Sequence, residues 1–465
     1  MIQKAVILLF FIQLNIFSQH FEVETIIDNG TTDTRINFVY MGDGYTEDEL
    51  DDFLLDIQNA SQTQFSYTPY QEYKNFFNVF AIKVISNESG TTHPQTSSDG
   101  DCAGVPVMET DTYFHSTFDA YGIHRLLVPG DWPYNEVTEV LTTNTPFYDQ
   151  ASVVVNTPYY GGSGGDYATG STDESSGLIM VHETGHSFVN LADEYWAGSI
   201  YAVERANMTA ESDPALVKWK NWLGDEEIDL YPYGTSGEPS EWYRPHQNCM
   251  MRALNNTFCA VCAEATIDHI YSLVSPIAFF SPSNNSISFT NEDEIEFKLD
   301  LIYPEPNTLE IKWFLDGMDL EVDQTNLTID NTLISEGTHV LTAQVEDLTE
   351  LSRTYTFASG YVFNVSWNVT NTTGIEENTV EKFLFKVYPN PSTDTLYFDY
   401  TIENISETIQ ISIVDLLGKE LKTISLESST NRDVLAIDLS DLVTGSYMLR
   451  INTPTYKRSY KFIKQ

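Results

Sequence analysis

The residue pattern of this chain changes near Ser275, and that change limits the folds open to it. Before Ser275, apolar strand-like runs alternate with helix-like segments, which favours an α/β or α+β unit. The clearest of these runs are residues 36–40, 76–84 and 151–156. After Ser275, segments such as 308–315 and 339–345 alternate apolar and polar residues with a period of two, which is typical of half-buried strands. The chain is therefore predicted to be multi-domain, with an α/β (α+β) domain followed by all-β modules.

The length of the chain also requires several domains. Its 465 residues exceed what one ordinary hydrophobic core supports. The pattern places the α/β domain at residues 20–275, an Ig-like β-sandwich at 276–368, a linker at 369–384 and a small all-β module at 385–465. Within the predicted sandwich, Asp316-Gly317 supplies a hairpin-type turn between two strands.

The N-terminus has the pattern of an export signal. Lys4 gives the positive charge, residues 5–17 are apolar, and the small residue Ser18 follows. This run is too short for a transmembrane helix with such flanks, so residues 1–18 are predicted to be a signal peptide and no transmembrane segment is expected. Export permits disulfides. The Cys259-x-x-Cys262 pair could be a metal knuckle or a redox site, but a structural bridge is the favoured interpretation. The other two cysteines are Cys102 and Cys249.

The net charge of the chain is strongly negative. It is -45, from 23 Lys and Arg against 68 Asp and Glu. Such a field repels phosphate backbones and anionic headgroups, which argues against nucleic acids and anionic membranes as partners. Solubility outside the cell is the simplest role for the charge. Calcium could bind some of these carboxylates, but no EF-hand-like loop is present.

The last module carries several short motifs in a fixed order. They are VYPNP at 387–391, VDLLGK at 414–419, TGSYMLR at 444–450 and a basic end at 460–465. Together they resemble the C-terminal sorting domain of the type IX secretion system. This resemblance implies a Bacteroidetes-type Gram-negative source, the type IX machinery as a partner, and a secreted or cell-surface location.

The strongest functional signal is His182-Glu183-Thr184-Gly185-His186. Residues four apart lie on the same face of a helix, so both imidazoles can reach one ion. Zinc bound in this way lowers the pKa of a water molecule to about 7 and polarises a carbonyl, while Glu183 beside it can act as general base. The apolar residues 178–181 argue against the alternative of two surface histidines on an amphipathic helix.

A zinc site of this kind needs a third protein ligand, and two adjacent carboxylates are candidates. In the metzincins, a turn after the second histidine brings the third ligand back to the metal. The chain resembles that pattern if the turn is shifted by one residue to Asn190, which tolerates the left-handed conformation, so that Asp193 can face the histidines. An unbroken helix would place Asp193 about 10 Å along the axis from His186, too far to share an ion. Glu194 is the alternative ligand. The two carboxylates could also be solvated or orient the histidines.

Residues downstream can complete the site from below. Residues 248–252 resemble the methionine turn of the metzincins, which places a methionine under the imidazoles without binding metal. Metzincin-like enzymes often use a tyrosine near this turn to stabilise an oxyanion, and that resemblance makes Tyr243, seven residues before Met250, a candidate. Core packing is the alternative role for this one tyrosine among 27. His246 is another polar group near the cleft and is not predicted to be a ligand.

These motifs together resemble the IgA-peptidase family of zinc metallopeptidases. The matching segments span roughly residues 35–270 and are 41–46, 76–79, 160–162, 182–195, 218–220, 243–245, 249–252 and 258–262. The resemblance implies a metzincin-like fold, zinc bound by His182, His186 and Asp193, and Glu183 as general base. The chain departs from the family at residues 189–190, where glycine is common.

The leading hypothesis is a secreted zinc endopeptidase that hydrolyses extracellular proteins by metal-activated water. One alternative is a non-catalytic cell-surface binding protein built on a peptidase-like fold. Another is a zinc hydrolase of a non-protein amide or ester. The intact motif at 182–186 argues against the first alternative, and product mapping separates the second. The family name describes its founding activity and does not assign IgA as the substrate of this chain.

Overall fold

The structure is a computed structural model, and it describes eleven stretches of the chain. They are residues 20–130, 135–234, 241–289, 294–330, 333–353, 360–371, 383–402, 409–415, 419–426, 431–452 and 457–465. The predicted signal peptide at 1–18 lies outside the described residues. Within these stretches, none of the helices has the length and apolar character needed to cross a membrane.

Mixed helices and strands occupy the chain up to residue 275. The α-helices are α1 (Leu50–Gln64), α2 (Asn135–Asn144), α3 (Ser176–Ser187) and α4 (Ala260–Leu273). The strands are β1 (Val23–Ile27), β2 (Ile36–Asp43), β3 (Phe77–Ile82), β4 (Gln150–Val155), β5 (Gly162–Ser163), β6 (Ala168–Gly170), β7 (Tyr231–Pro232) and β8 (Tyr243–Arg244). Short 3-10 helices cover Glu47–Glu49, Lys74–Phe76, Gly100–Gly104, Ala120–Gly122, Ser199–Tyr201 and Lys220–Trp222.

Strands make up the regular structure described after residue 275. The middle part contains β9 (Ile277–Ser281), β10 (Ser286–Phe289), β11 (Ile295–Leu301), β12 (Leu309–Leu315), β13 (Met318–Asp319), β14 (Asn326–Ile329), β15 (Gly337–Asp347) and β16 (Tyr361–Asn371). The C-terminal part contains β17 (Phe383–Tyr388), β18 (Thr395–Ile402), β19 (Ile409–Val414), β20 (Glu420–Leu426), β21 (Asn431–Asp438), β22 (Gly445–Asn452) and β23 (Lys457–Lys464). The chain is thus a mixed α/β domain followed by β-sheets, as the change of pattern near residue 275 predicts.

The central sheet of the α/β domain has the order β1-β3-β2-β4-β6-β5. Its four inner strands pair in parallel, while β1 and β5 join the edges antiparallel. Side chains alternate along a strand, so β2 buries Phe38 and Tyr40 in one core and Val39 and Met41 in another. Helices α1, α3 and α4 contribute to the first core, and α2 with residues 114–127 to the second. Burial on both faces explains why these strands read as apolar runs.

The middle part forms two sheets around one apolar core. The sheets have the orders β10-β16-β15-β12-β13 and β14-β11-β9, and the stacked rings of Trp313 and Trp367 lie between them, 5.9 Å apart. The predicted turn between β12 and β13 is confirmed, because Asp316 and Gly317 have φ of 52° and 80°. Strand β16 continues to Asn371, past the start of the predicted linker at residue 369. Residues 372–382 of that linker lie outside the described residues.

The α/β domain and the middle β part share buried polar contacts. Asp347, at the end of β15, accepts hydrogen bonds from the hydroxyls of Tyr73 and Tyr271 at 2.5 and 2.6 Å. On α4, Glu264 accepts a hydrogen bond from the indole of Trp222 at 2.8 Å and one from the backbone N–H of Arg353 at 2.5 Å. A buried carboxylate is costly unless it is hydrogen-bonded, so these contacts favour one fixed arrangement of the two parts.

Candidate metal centre

Helix α3 holds both histidines of the motif in one orientation. Nδ1–H of His182 donates to the carbonyl of Met250 at 3.0 Å, and Nδ1–H of His186 donates to the carbonyl of Leu191 at 2.8 Å. These backbone contacts fix which nitrogen carries the proton and leave Nε2 of each ring facing the cleft. The two Nε2 atoms are 3.2 Å apart.

Asp193 completes a triangle with these two nitrogens. Its Oδ1 lies 3.1 Å from Nε2 of His182 and 3.2 Å from Nε2 of His186. The chain returns to the histidines because α3 ends at Ser187 and Asn190 takes the left-handed conformation, with φ of 62°. The turn expected near Asn190 is therefore present, and it brings the predicted third ligand to the first two.

The triangle has the chemistry and dimensions of a metal site. In a tetrahedron with zinc–nitrogen and zinc–oxygen bonds of about 2.0–2.1 Å, ligand atoms lie about 3.3–3.4 Å apart. Burial alone would lower the pKa of His186, but Asp193 outweighs it and raises that pKa to about 9. Without a metal, a proton on His186 thus relieves the repulsion among the three acceptors. A cation can take the place of that proton.

The methionine turn lies directly beneath this site. Met250 and Met251 are fully buried, and the carbonyl of Met251 accepts a hydrogen bond from the backbone N–H of Glu194 at 2.7 Å. A Cβ at Gly185 would lie 2.6 Å from the sulfur of Met251, so α3 sits on this methionine where it has no side chain. The turn therefore supports the helix, as its sequence position predicts.

Glu183 faces a pocket beside the triangle. A carboxylate oxygen of Glu183 lies within 4.8 Å of ring nitrogens of both histidines, and burial raises the pKa of this carboxyl. The glycine-rich segment 160–165 passes over the helix so closely that a Cβ at Gly164 would lie 2.7 Å from Oε2 of Glu183. The pocket has a volume of about 270 Å³. Its lining includes Arg125, Tyr160, His182, Glu183, Tyr195 and Arg252.

Two pocket residues were not assigned a role from the sequence. The Tyr195 ring stacks on His182 at a centroid distance of 6.4 Å, and the guanidinium of Arg125 lies 5.9 Å from the Tyr195 ring centre. Burial raises the pKa of Tyr195, so its hydroxyl keeps its proton. Tyr195 follows the ligand segment and could have been singled out on that ground. No local motif marks Arg125.

The other residues proposed from the sequence lie elsewhere. Tyr243 is on β8, where it exchanges backbone hydrogen bonds with Thr209, and it is packed against the core instead of lining the pocket. Glu194 is buried below the site, and its Oε1 accepts a hydrogen bond from Asn207 at 3.0 Å. His246 faces Glu227 at 3.6 Å. A catalytic role for Tyr243 stays a prediction that its position does not favour.

The four cysteines are unpaired and buried. The bridge expected for Cys259 and Cys262 is therefore absent, and that interpretation is wrong for this structure. The reason is spatial: Cys249, Cys259 and Cys262 gather around Glu194, while Cys102 lies among two histidines and an aspartate. Export permits disulfides but does not determine what surrounds a thiol.

Two family models match the sequence. Residues 25–238 match the family described as IgA Peptidase M64, and residues 386–465 match the Secretion system C-terminal sorting domain. Most of the α/β domain is therefore similar in sequence to a peptidase family. The sorting domain indicates secretion or cell-surface localisation in Bacteroidetes, through the type IX machinery. No curated protein matches the chain.

Solved structures resemble the chain only weakly. Dimeric latent PorU from Porphyromonas gingivalis is 14% identical over 40% of this chain and 19% of PorU, with a TM-score of 0.18. The glucan-utilization protein SGBP-B from Bacteroides ovatus is 12% identical over 39% of this chain and 42% of SGBP-B, with a TM-score of 0.15. A chimeric titin tandem is 12% identical over 40% of this chain and 97% of the tandem, with a TM-score of 0.18. The chain thus spans about a fifth of PorU and less than half of SGBP-B. Similarity at this level supports no functional assignment.

Proposed function

We propose, on the premise that residues 25–238 match the IgA Peptidase M64 family, that this chain is a secreted zinc-dependent endopeptidase of extracellular proteins. The observation that carries the proposal is the triangle of His182, His186 and Asp193, whose ligand atoms lie 3.1–3.2 Å apart beside Glu183. Three protein ligands leave one tetrahedral position open, which is the arrangement of catalytic zinc sites.

The proposal includes the finer assignments of the fold. Residues 20–275 are assigned to a metzincin-like catalytic domain, residues 276–368 to an Ig-like sandwich and residues 385–465 to a type IX sorting domain. The order of the helix, the left-handed turn, Asp193 and the methionine turn supports the first assignment. Two facing sheets around the Trp313–Trp367 pair support the second.

The chemistry divides between the metal and the residues around it. Zinc held by the three ligands would lower the pKa of a water molecule to about 7 and polarise the scissile carbonyl. Glu183 accepts the proton that the attacking water releases and passes it to the leaving amine. Burial raises the pKa of Glu183, which makes its carboxylate a stronger base and favours the first of these transfers.

Arg125 and Tyr195 are two of the hydrogen-bond donors that line the pocket. Both line the pocket with Glu183, and the Tyr195 hydroxyl keeps its proton. Donors that face the site where negative charge develops stabilise the transition state without reorganisation. We therefore assign to this pair the stabilisation of the carbonyl oxygen, the role that the sequence suggested for Tyr243.

The proposal is tested with the full chain and an unfolded general substrate such as casein. A zinc chelator should abolish cleavage, and added zinc should restore it. Glu183→Gln should retain its metal and lose activity by about 10²–10⁴-fold. The matched control is Glu174→Gln, an exposed carboxylate just before α3, which should keep both. Full activity of Glu183→Gln would contradict the mechanism.

The same digest identifies the bond that is cleaved. Mass spectrometry of the products should show cuts at internal peptide bonds. If all peptide bonds stay intact and another amide or ester is hydrolysed, the endopeptidase proposal is wrong and the alternative of a non-protein amide or ester hydrolase is supported.

A further inference from the structure

A second group of metal-type ligands lies in the long connection between β3 and α2. It consists of His93, Cys102, Asp119 and His124, which we call the loop cluster. One donor atom of each residue lies within 4.8 Å of all the others. Their exposed fractions are 0%, 2%, 5% and 6%. Four buried polar groups of three chemical types require a partner that balances their charges and lone pairs.

Three of the distances in the loop cluster are those expected around a tetrahedral ion. Nε2 of His93 lies 3.4 Å from Sγ of Cys102 and 3.5 Å from Oδ2 of Asp119. Sγ of Cys102 lies 3.5 Å from Oδ1 of Asp119. With a zinc–sulfur bond of about 2.3 Å and zinc–nitrogen or zinc–oxygen bonds of about 2.0–2.1 Å, these separations are expected to be about 3.3–3.6 Å. Nδ1 of His124 is closer to Oδ1 of Asp119, at 2.9 Å.

Backbone contacts aim the ligands inward. Nδ1–H of His93 donates to the carbonyl of Pro106 at 2.9 Å, which leaves the Nε2 lone pair toward the other three residues. Asp119 accepts a hydrogen bond from the backbone N–H of Thr96 at 2.7 Å, and it has the left-handed φ of 63°. A non-glycine residue in that conformation is held there by its surroundings.

We propose that the loop cluster binds a zinc-type divalent ion as a closed structural site. Calcium and magnesium prefer oxygen ligands, so a site with thiolate and imidazole ligands favours a zinc-type ion. Four protein ligands fill a tetrahedral coordination shell and leave no open position. Binding replaces the proton of the Cys102 thiol, which passes to solvent. The competing state is a metal-free cluster in which Nδ1–H of His124 donates a hydrogen bond to Asp119.

The loop cluster has a position that matters for the cleft. Arg125 follows His124 directly, and its carbonyl accepts a hydrogen bond from the backbone N–H of Gly162 at 3.1 Å. The N–H of Leu127 donates back to the carbonyl of Gly162 at 3.4 Å. An ion in the loop cluster would therefore fix the wall of the pocket from which the Arg125 side chain projects.

A second proposal rests on different residues. Cys249, Cys259, Cys262 and Glu194 also have donor atoms within 4.8 Å of one another and are all buried. We infer that this cysteine cluster holds another zinc-type ion. Sγ atoms of Cys249 and Cys262 lie 3.6 Å apart, against about 2.05 Å in a disulfide and about 3.7–3.8 Å along the edge of a zinc–thiolate tetrahedron. Oε2 of Glu194 is buried with no hydrogen-bond partner among the described residues.

The experiment counts metal ions in the purified full chain by native mass spectrometry and elemental analysis. Three zinc-type ions per chain are expected. His182→Ala/His186→Ala should leave two, and Cys102→Ser and Cys259→Ser should each lose one. Ser116→Ala is the matched control, because this buried serine lies in the same connection and its hydroxyl has no hydrogen-bond partner among the described residues. It should keep all three ions.

The outcomes separate the proposals from each other and from the function. Two ions in the wild type, one of which Cys102→Ser loses, would support the loop cluster and overturn the cysteine cluster. A single ion that His182→Ala/His186→Ala removes would overturn both and leave the peptidase proposal intact. If the cysteine variants do not fold, X-ray absorption of the wild type decides. Sulfur scattering at zinc supports thiolate ligation, and its absence overturns both sites.

Discussion

The proposed metal site of the cleft and the loop cluster offer similar ligands but differ in access. The cleft offers three candidate ligands, and the side chains of His186 and Asp193 are 20% and 17% exposed. The loop cluster has four, and the side chains of His93 and Asp119 are fully buried. An open coordination position beside a pocket leaves room for a reacting molecule. Four buried protein ligands leave no such position, so an ion bound there has a structural role. Ligand number and exposure thus separate a reactive site from a structural one.

Asp193→Ala should break the open site most severely. It removes one of three ligands, so the cleft should lose its ion while the buried clusters keep theirs. Activity should fall about 10³-fold or more, since Lewis-acid stabilisation worth several kcal/mol is lost. Activity and metal content are measured on the same preparation. A variant with full metal content and normal cleavage would remove Asp193 from the ligand set.

Graded chelation should sharpen the difference in access. The open site should release its ion first, so cleavage stops while the thermal unfolding temperature is unchanged. Stronger chelation should then empty the closed site and lower the free energy of unfolding, by about 4 kcal/mol where free metal stood at about 1,000 times its dissociation constant. Calorimetry and activity are followed along one titration. Simultaneous loss of activity and stability would contradict two classes of site.

Arg125→Met should show how the loop cluster supports the cleft. Loss of a charged donor at the reacting carbonyl should lower kcat by about 10²-fold. If an ion in the loop cluster positions Arg125, then Cys102→Ser should also lower kcat, and the double variant should lose less than the product of the two effects. Steady-state kinetics on the three variants measures the coupling. Strictly multiplicative losses would make the two regions independent.

The layer beneath the open site should be sensitive to acid through His269. Its ring meets Phe188 edge to face at 4.4 Å, and burial lowers its pKa to about 4. The unfolded chain therefore binds more protons than the folded chain between about pH 6.5 and 4, and stability falls as the pH falls through that window. The expected loss is about 2–3 kcal/mol.

His269→Gln isolates this effect from metal release. Urea unfolding of chelated wild type and variant at pH 7, 5.5 and 4.5 should give a flatter dependence for the variant. Equal slopes would show that other groups cause the acid sensitivity.

The parts of the cleft that depend on local spacing could be predicted from the sequence. His182 and His186 lie on the same helix face because they are four residues apart. The chain turns at Asn190 after the helix, as the position of Asp193 required. Strands β2 and β4 could be predicted because each is a continuous run of mostly apolar residues. The two-residue edge strand β5 has no such run, so its place over α3 was not visible.

The loop cluster could not be predicted from local spacing. Its ligands are spaced irregularly through a connection without helical or strand periodicity, so no local rule links His93 to Asp119. They meet because the fold brings the connection back on itself. The disulfide interpretation failed for a related reason, since the neighbours of Cys259 include Glu194, which is 65 residues away in a segment interpreted for another role.

The tyrosine hydroxyls on Asp347 have a mechanical consequence. Tyr73 precedes β3 and Tyr271 lies on α4, so two elements of the α/β domain hold the same carboxylate of the sandwich. Bending the chain near residue 275 would have to break both bonds and expose the charge. The middle β part and the α/β domain are therefore expected to move together, so that the orientation of the cleft follows the orientation of the middle β part.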